Sequence, residues 1–149
     1  MRAVVQRVTR AKVTVDEKLV GEIGNGLVVL LGIARDDTND DAEYLLNKII
    51  SLRIFDDEQG KMNLSVKDVN GGLLIVSQFT LYADVRRGLR PSWSDAAQPE
   101  IAEPLYEFFL TKARNEIAPV EAGEFRKIMQ VELVNDGPVT LMLDSRKAF

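Results

Sequence analysis

The chain has no cysteine and no histidine among its 149 residues. The first absence excludes disulfides, thiolate metal sites and a thiol nucleophile. The second excludes a Ser-His-Asp triad and a histidine-ligated zinc site. Any chemistry must come from carboxylates, lysine, hydroxyls, backbone groups or the substrate itself. Long apolar runs are scarce too. The longest, Gly26 to Ala34, is far too short to cross a bilayer, so no membrane association is expected. The opening MRAVVQRVTRAKV has neither the unbroken apolar stretch nor the small-residue cleavage site of a secretory signal, which makes the cytoplasm the expected compartment. Positive charge is in deficit, with 19 Lys and Arg against 23 Asp and Glu, a net −4. That argues against a general nucleic-acid binder, whose affinity comes largely from neutralising phosphates. A local basic patch stays open.

What is present suits one domain over residues 1–149, with 146–149 as a frayed tail. Residues 2–8 alternate as a strand. The stretch from Ala11 to Ala34 gives two further strands around a turn at Asp16–Lys18, then a Gly-Asn-Gly turn and a buried strand. Ala42, Leu45, Leu46, Ile49 and Ile50 recur at helical spacing. Thr38 and Asp41 form a capping-box variant ahead of them, so the acidic cluster there reads as a helix start rather than a metal site. Residues 56–63 and 69–72 are turn regions. A second helix follows Gln98, with Ala102, Leu105, Tyr106, Phe109, Leu110 and Ala113 inward. Pro99 suits a first turn, but Pro104 suits no interior, which puts the regular helix nearer Ile101. Residues 129–145 read as two strands around Asn135–Pro138. The order predicts an α+β domain with a mixed, largely antiparallel sheet and two main helices.

Three constellations stand out against ordinary readings. Leu73–Val76 form a core strand that runs straight into Ser77, Gln78, Phe79 and Thr80. A strand surfacing from the core explains polar residues there. A strand end is also where a scaffold holds reactive groups, and freed N–H groups can stabilise an oxyanion. Arg86, Arg87 and Arg90 lie near Trp93 in an otherwise acidic chain. They read as a solvated face, or as a focused phosphate contact. Residues 134–140, VNDGPVT, are turn formers, yet Gly before Pro is also the setting of a cis peptide bond.

Ser77-Gln78-Phe79-Thr80 with the following LYAD, together with NDGPVT, the opening QRVTRAKVTV and RIFDDEQGKMNLSV, closely resembles the bacterial D-aminoacyl-tRNA deacylase family, long called D-tyrosyl-tRNA deacylase. The resemblance runs through Asp144 and departs at Tyr82 and Trp93. It implies a cytoplasmic homodimer that needs neither metal nor organic cofactor. It implies hydrolysis of the ester joining a D-amino acid to the tRNA acceptor end, with mischarged glycyl-tRNA also accepted and L-aminoacyl esters rejected. Ser77, Gln78, Phe79 and Thr80 match the family's first motif. Asn135, Gly137, Pro138 and Thr140 match its second, whose cis Gly-Pro carbonyls reach into the partner subunit's site. Arg7 matches the arginine that fixes this motif. Phe125 and Met129 fall where relatives contact the terminal adenosine.

The chemistry agrees with a chain that lacks histidine. An aminoacyl ester is already activated, so N–H donors near Phe79 and Thr80 and a water aided by the ribose hydroxyl suffice. Thr80 as covalent nucleophile is the weaker route, since nothing in the sequence would deprotonate it. Two rival readings stay open at this point: a dimeric module that holds a nucleic-acid end without cleaving it, and an esterase of small molecules.

Overall fold

The computed structural model describes residues 1–149. Its sheet is organised by one long strand, β1 (Arg2–Val15). A tight turn with positive φ at Asp16 and Glu17 leads into β2 (Lys18–Ile23), antiparallel to the second half of β1. Strand β3 (Gly26–Gly32) pairs with the first half, Ala3 opposite Leu31 and Val5 opposite Val29.

Helix α1 (Asn39–Ser51) starts after Thr38, whose N–H donates to the Asp41 carboxylate at 2.9 Å. Its buried residues are the five that the spacing selects. A small hairpin of β4 (Phe55–Asp56) and β5 (Met62–Leu64) encloses the expected turn at 56–63. Strand β6 (Gly72–Ser77) lies parallel to β3. It passes through Gln78 into a single 3-10 turn, Phe79–Tyr82. Helix α2 spans Pro99–Glu116 and buries the predicted face.

The expectation that Pro104 delays this helix is corrected, because Pro104 lies inside it. The ring forfeits only the bond its N–H would have given to Glu100, an exposed residue whose carbonyl water can reach. The inward face, which includes Tyr106 and Phe109 at 1% exposure, carries the helix through. A short strand that the sequence did not reveal, β7 (Val120–Ala122), lies parallel to β6.

The last strand, β8 (Gln130–Asp144), corrects the two-strand reading of the C-terminal region. Both of its halves pair with β1, from Arg2↔Asp144 to Thr14↔Gln130. The chain is therefore α+β, with antiparallel β1 pairings and parallel β3–β6 and β6–β7 pairings.

Both helices cover one face of the sheet and form the main core with Val5, Leu27, Val29, Leu31, Leu73 and Ile75. On the opposite face the sheet curls so that Val8, Val13, Ile23, Leu74 and Val76 meet in a second, smaller core. No helix is long and apolar enough to cross a membrane. Arg146 pairs with Asp36 and Asp37, and the Met1 amine lies 2.6 Å from Asp37.

Candidate active site

Strand β6 is buried through Val76 and surfaces at Ser77. The Gln78 N–H continues the sheet by donating to the Leu31 carbonyl at 2.8 Å. The Leu81 N–H donates to the Gln78 carbonyl at 3.2 Å and closes the 3-10 turn. Between those two bonds, the N–H groups of Phe79 and Thr80 have no partner, as the opening groups of a helical turn do not. The Gln78 amide donates to the Thr80 hydroxyl, and no carboxylate or amine holds that hydroxyl. The corner therefore offers two adjacent backbone donors and no base.

Beside this corner opens a cavity of about 630 Å³. Ser77, Gln78 and Phe79 form one wall, and Trp93, Gln98 and Pro99 continue it. The opposite wall runs from Phe125 through Arg126, Lys127, Ile128 and Met129. Phe79 meets Trp93 edge-on, with ring centroids 5.0 Å apart. Phe125 is backed by Tyr106 at 5.8 Å, and the Tyr106 hydroxyl donates to the Ile75 carbonyl at 2.9 Å. Burial pushes the Tyr106 phenol well above its ordinary range, so it stays a neutral prop. The lining has two cations and no Asp or Glu.

The Gly137–Pro138 region lies elsewhere on the protomer and does not line this cavity. Strand β8 pairs Asn135 with Val8 and Thr140 with Gln6, so residues 136–139 bulge out against Arg7 alone. Arg7 is 6% exposed and holds the bulge from beneath. Its guanidinium donates to the Asp136 carbonyl at 3.1 Å and to the Ile54 carbonyl at 2.7 Å. It also lies 3.4 Å from the Asp136 carboxylate and 3.6 Å from that of Asp56. From above, the Val139 N–H donates to the Asn135 side chain, whose amide donates to the Thr140 hydroxyl at 2.9 Å. Gly137 has φ +128, and its peptide bond to Pro138 is cis, as the resemblance implies. Both residues are exposed.

Of the residues singled out in the sequence, the fold thus gathers Ser77, Gln78, Phe79, Phe125 and Met129 around one cavity, with Thr80 on its rim turn. It gathers Arg7, Gly137 and Pro138 in a second place. The sequence did not reveal the Arg126–Ile128 wall, the Gln98–Pro99 wall, or the Ile54 and Asp56 anchor of Arg7. Only Trp93 carried a signal, as a lone tryptophan beside arginines.

A model of the family described as D-Tyr-tRNA(Tyr) deacylase matches residues 4–144. A D-aminoacyl-tRNA deacylase of Thermosipho africanus is 63% identical over the whole of both chains. One of Clostridioides difficile is 57% identical, again over both whole chains. Among solved structures, a protein described as a c-Myc DNA unwinding element binding protein superposes with a TM-score of 0.92 at 46% identity, covering 97% of this chain and 98% of that one. A probable eukaryotic D-amino acid tRNA deacylase shares the fold, with a TM-score of 0.79 at 18% identity over 96% of this chain and 98% of that one.

Proposed function

The chain belongs to the D-Tyr-tRNA(Tyr) deacylase family, and we propose that its Ser77–Thr80 corner and a partner subunit's Gly137–Pro138 bulge together form the site that cleaves the ester. The reaction is hydrolysis of D-aminoacyl-tRNA to free D-amino acid and tRNA. The observation that carries the reading of the site is the pair of unpartnered N–H groups at Phe79 and Thr80, beside a cavity large enough for a terminal nucleoside.

The nucleoside sits between Phe125 and Met129 on one side and the Phe79–Trp93 pair on the other. Its aminoacyl ester then lies over the two donors. As water attacks, the carbonyl oxygen gains charge and both N–H groups stabilise it, each donor contributing about 3–4 kcal/mol in comparable sites. The ribose hydroxyl next to the ester serves the attacking water, since no side chain at the corner is a base. The Gln78 amide, bonded to the Thr80 hydroxyl, keeps the turn in shape. No cofactor enters this chemistry.

Chirality follows from fixing two substituents of the α-carbon. The ester carbonyl is held by N–H groups, and the ammonium by the Gly137 and Pro138 carbonyls. A D side chain then points outward and an L side chain points into backbone. Rejection by a clash needs no side-chain pocket, so many D-amino acids are accepted, and glycine enters as well.

The homodimer is part of this proposal. Gly137 and Pro138 are exposed, and no contact brings them to the cavity of their own protomer. Met142 on the same strand is 63% exposed, an apolar surface that a second copy would cover. The cytoplasm, where tRNA is charged, is the compartment that this activity requires.

Subunit complementation tests the arrangement. Gly137→Ala damages the bulge, and Phe79→Pro deletes one N–H donor. Each homodimer is expected to lose most of its activity, while mixed dimers regain one intact site and cleave D-tyrosyl-tRNA faster than either. Folded mixed dimers without activity would place both halves of the site in one protomer. Hydrolysis of D-tyrosine methyl ester as fast as of D-tyrosyl-tRNA would favour a small-molecule esterase instead.

A further inference from the structure

The segment from Ala83 to Ser92 has no place in the chemistry above. Asp84 and Ser92 exchange both backbone hydrogen bonds at 2.9 Å, which makes residues 84–92 a hairpin. Its next residue, Trp93, is a cavity wall in contact with Phe79. The hairpin therefore springs from the mouth of the site.

Its charges are not equivalent. Arg86 folds back on Asp84 through two bonds, at 2.9 and 2.7 Å, and these bonds hold the Asp84 carboxyl well below the usual carboxylate range. That pair is internally spent. Arg87 and Arg90 are exposed and take part in no ion pair, while eight other side-chain cations of the chain, Arg86 among them, do. Leu89 between them is fully exposed at the tip. Across the cavity Arg126 and Lys127 are likewise exposed and unpaired, and the lining contains no carboxylate. In a chain of net charge −4, cations without counterions flank both sides of one opening.

We propose that Arg87 and Arg90 bind phosphates of the single-stranded acceptor end, just ahead of the nucleoside in the cavity, with Arg126 and Lys127 facing the same strand from the other rim. This rests on the reading of the cavity as the terminal-nucleoside site. It also explains how an acidic protein holds RNA: unpaired cations stand on both sides of the mouth, and no carboxylate lines the cavity between them.

The test compares wild type with Arg87→Gln/Arg90→Gln on two substrates, D-tyrosyl-tRNA and 3′-O-D-tyrosyl-adenosine, which has no phosphate. The plot of log(kcat/KM) against log[KCl] for the tRNA should become shallower by about 0.7 for each phosphate that is no longer neutralised, so by about 1.4 in the double variant. Cleavage of the adenosine ester should not change. The control Lys48→Gln/Arg114→Gln removes the same charge from helix positions that pair with nothing. Arg114 lies about 22 Å along α2 from the cavity residue Pro99. This control should leave the slope as it is. An unchanged slope in Arg87→Gln/Arg90→Gln overturns the inference, and so does an equal loss on both substrates. A changed sedimentation coefficient would make the hairpin a contact between copies and overturn it as well. If wild type cleaves neither substrate, the reading of the cavity falls with it; if it cleaves both, only the hairpin is at stake.

Discussion

The corner at Ser77–Thr80 and the bulge at Asp136–Val139 are held in place by opposite means. The corner is the end of a strand buried through Val76, and a single sheet bond from Gln78 to Leu31 carries its position outward from the core. Its one polar side-chain tie to another element is Arg2, whose guanidinium donates to the carbonyl of Leu81 in the same turn at 3.2 Å. The bulge lies on an outward strand and is shaped by polar groups: the Arg7 guanidinium below, the Asn135 amide and Thr140 hydroxyl above. The corner inherits its precision from packing, and the bulge from hydrogen bonds. Substitutions that spare one should therefore damage the other.

The largest effect is expected at Arg7, where one side chain serves the bulge and a second element. Arg7→Ala leaves the Ile54 and Asp136 carbonyls without a donor, at a cost of about 1–3 kcal/mol for each unsatisfied group. Thermal unfolding should show that loss, and deacylation should nearly vanish. A variant that keeps its activity would mean that the bulge needs no clamp.

Gly137→Ala comes next and separates activity from stability. A Cβ there would lie 2.8 Å from the Val139 Cγ2 and 3.2 Å from the Arg7 guanidinium, at a φ of +128 that alanine rarely adopts. A displacement of the carbonyls by about 1 Å is enough for a loss on the order of 100-fold in kcat/KM. Melting temperature should fall only modestly, because the residue is exposed. At the corner, Leu31→Ala should cost both. Truncating a leucine that is 1% exposed should cost about 2–5 kcal/mol in denaturant unfolding. The folded fraction should also turn over more slowly, because the packing that seats the Gln78 bond loosens and Leu31 itself lines the cavity. A folded fraction with wild-type specific activity would show that packing does not position the corner.

The smallest effect is expected at Thr80. Thr80→Ala removes one side-chain hydrogen bond, typically about 0.5–1.5 kcal/mol, so turnover should stay within roughly tenfold. An aminoacyl-Thr80 ester trapped and seen by mass spectrometry would contradict the role given to water.

The same contrast governs what is legible in the sequence. Packing leaves a periodic trace. The inward faces of α1 and α2 can be read residue by residue, and so can the core strand running into Ser77. Polar clamps leave none. Nothing in the spacing of Arg7, Ile54 and Asp56 announces that they meet, because β1 brings the first to the end of the segment after α1 only through the tertiary fold. The bulge reads as a break between two strands because NDGP has turn composition, and only pairing of both sides with β1 shows it to be an interruption of one strand. Strand β7 escapes notice because three half-buried residues give too short a pattern. Pro104 misleads for a related reason: local propensity is outweighed by the helix's long buried face. The candidate residues themselves come from motif resemblance, and the cavity's Arg126–Ile128 wall, which has neither motif nor periodicity, stays hidden.

The two donors at Phe79 and Thr80 belong to the main chain, and this changes what inheritance can do to the site. A side-chain nucleophile is erased by a single codon change. Here every standard residue except proline would supply the same N–H at either position, so lineages can drift in side chain while the donor persists. An inhibitor that accepts from both N–H groups would therefore leave few single-residue routes of escape at its anchoring atoms. Resistance would have to arise from the cavity walls or by moving the turn itself.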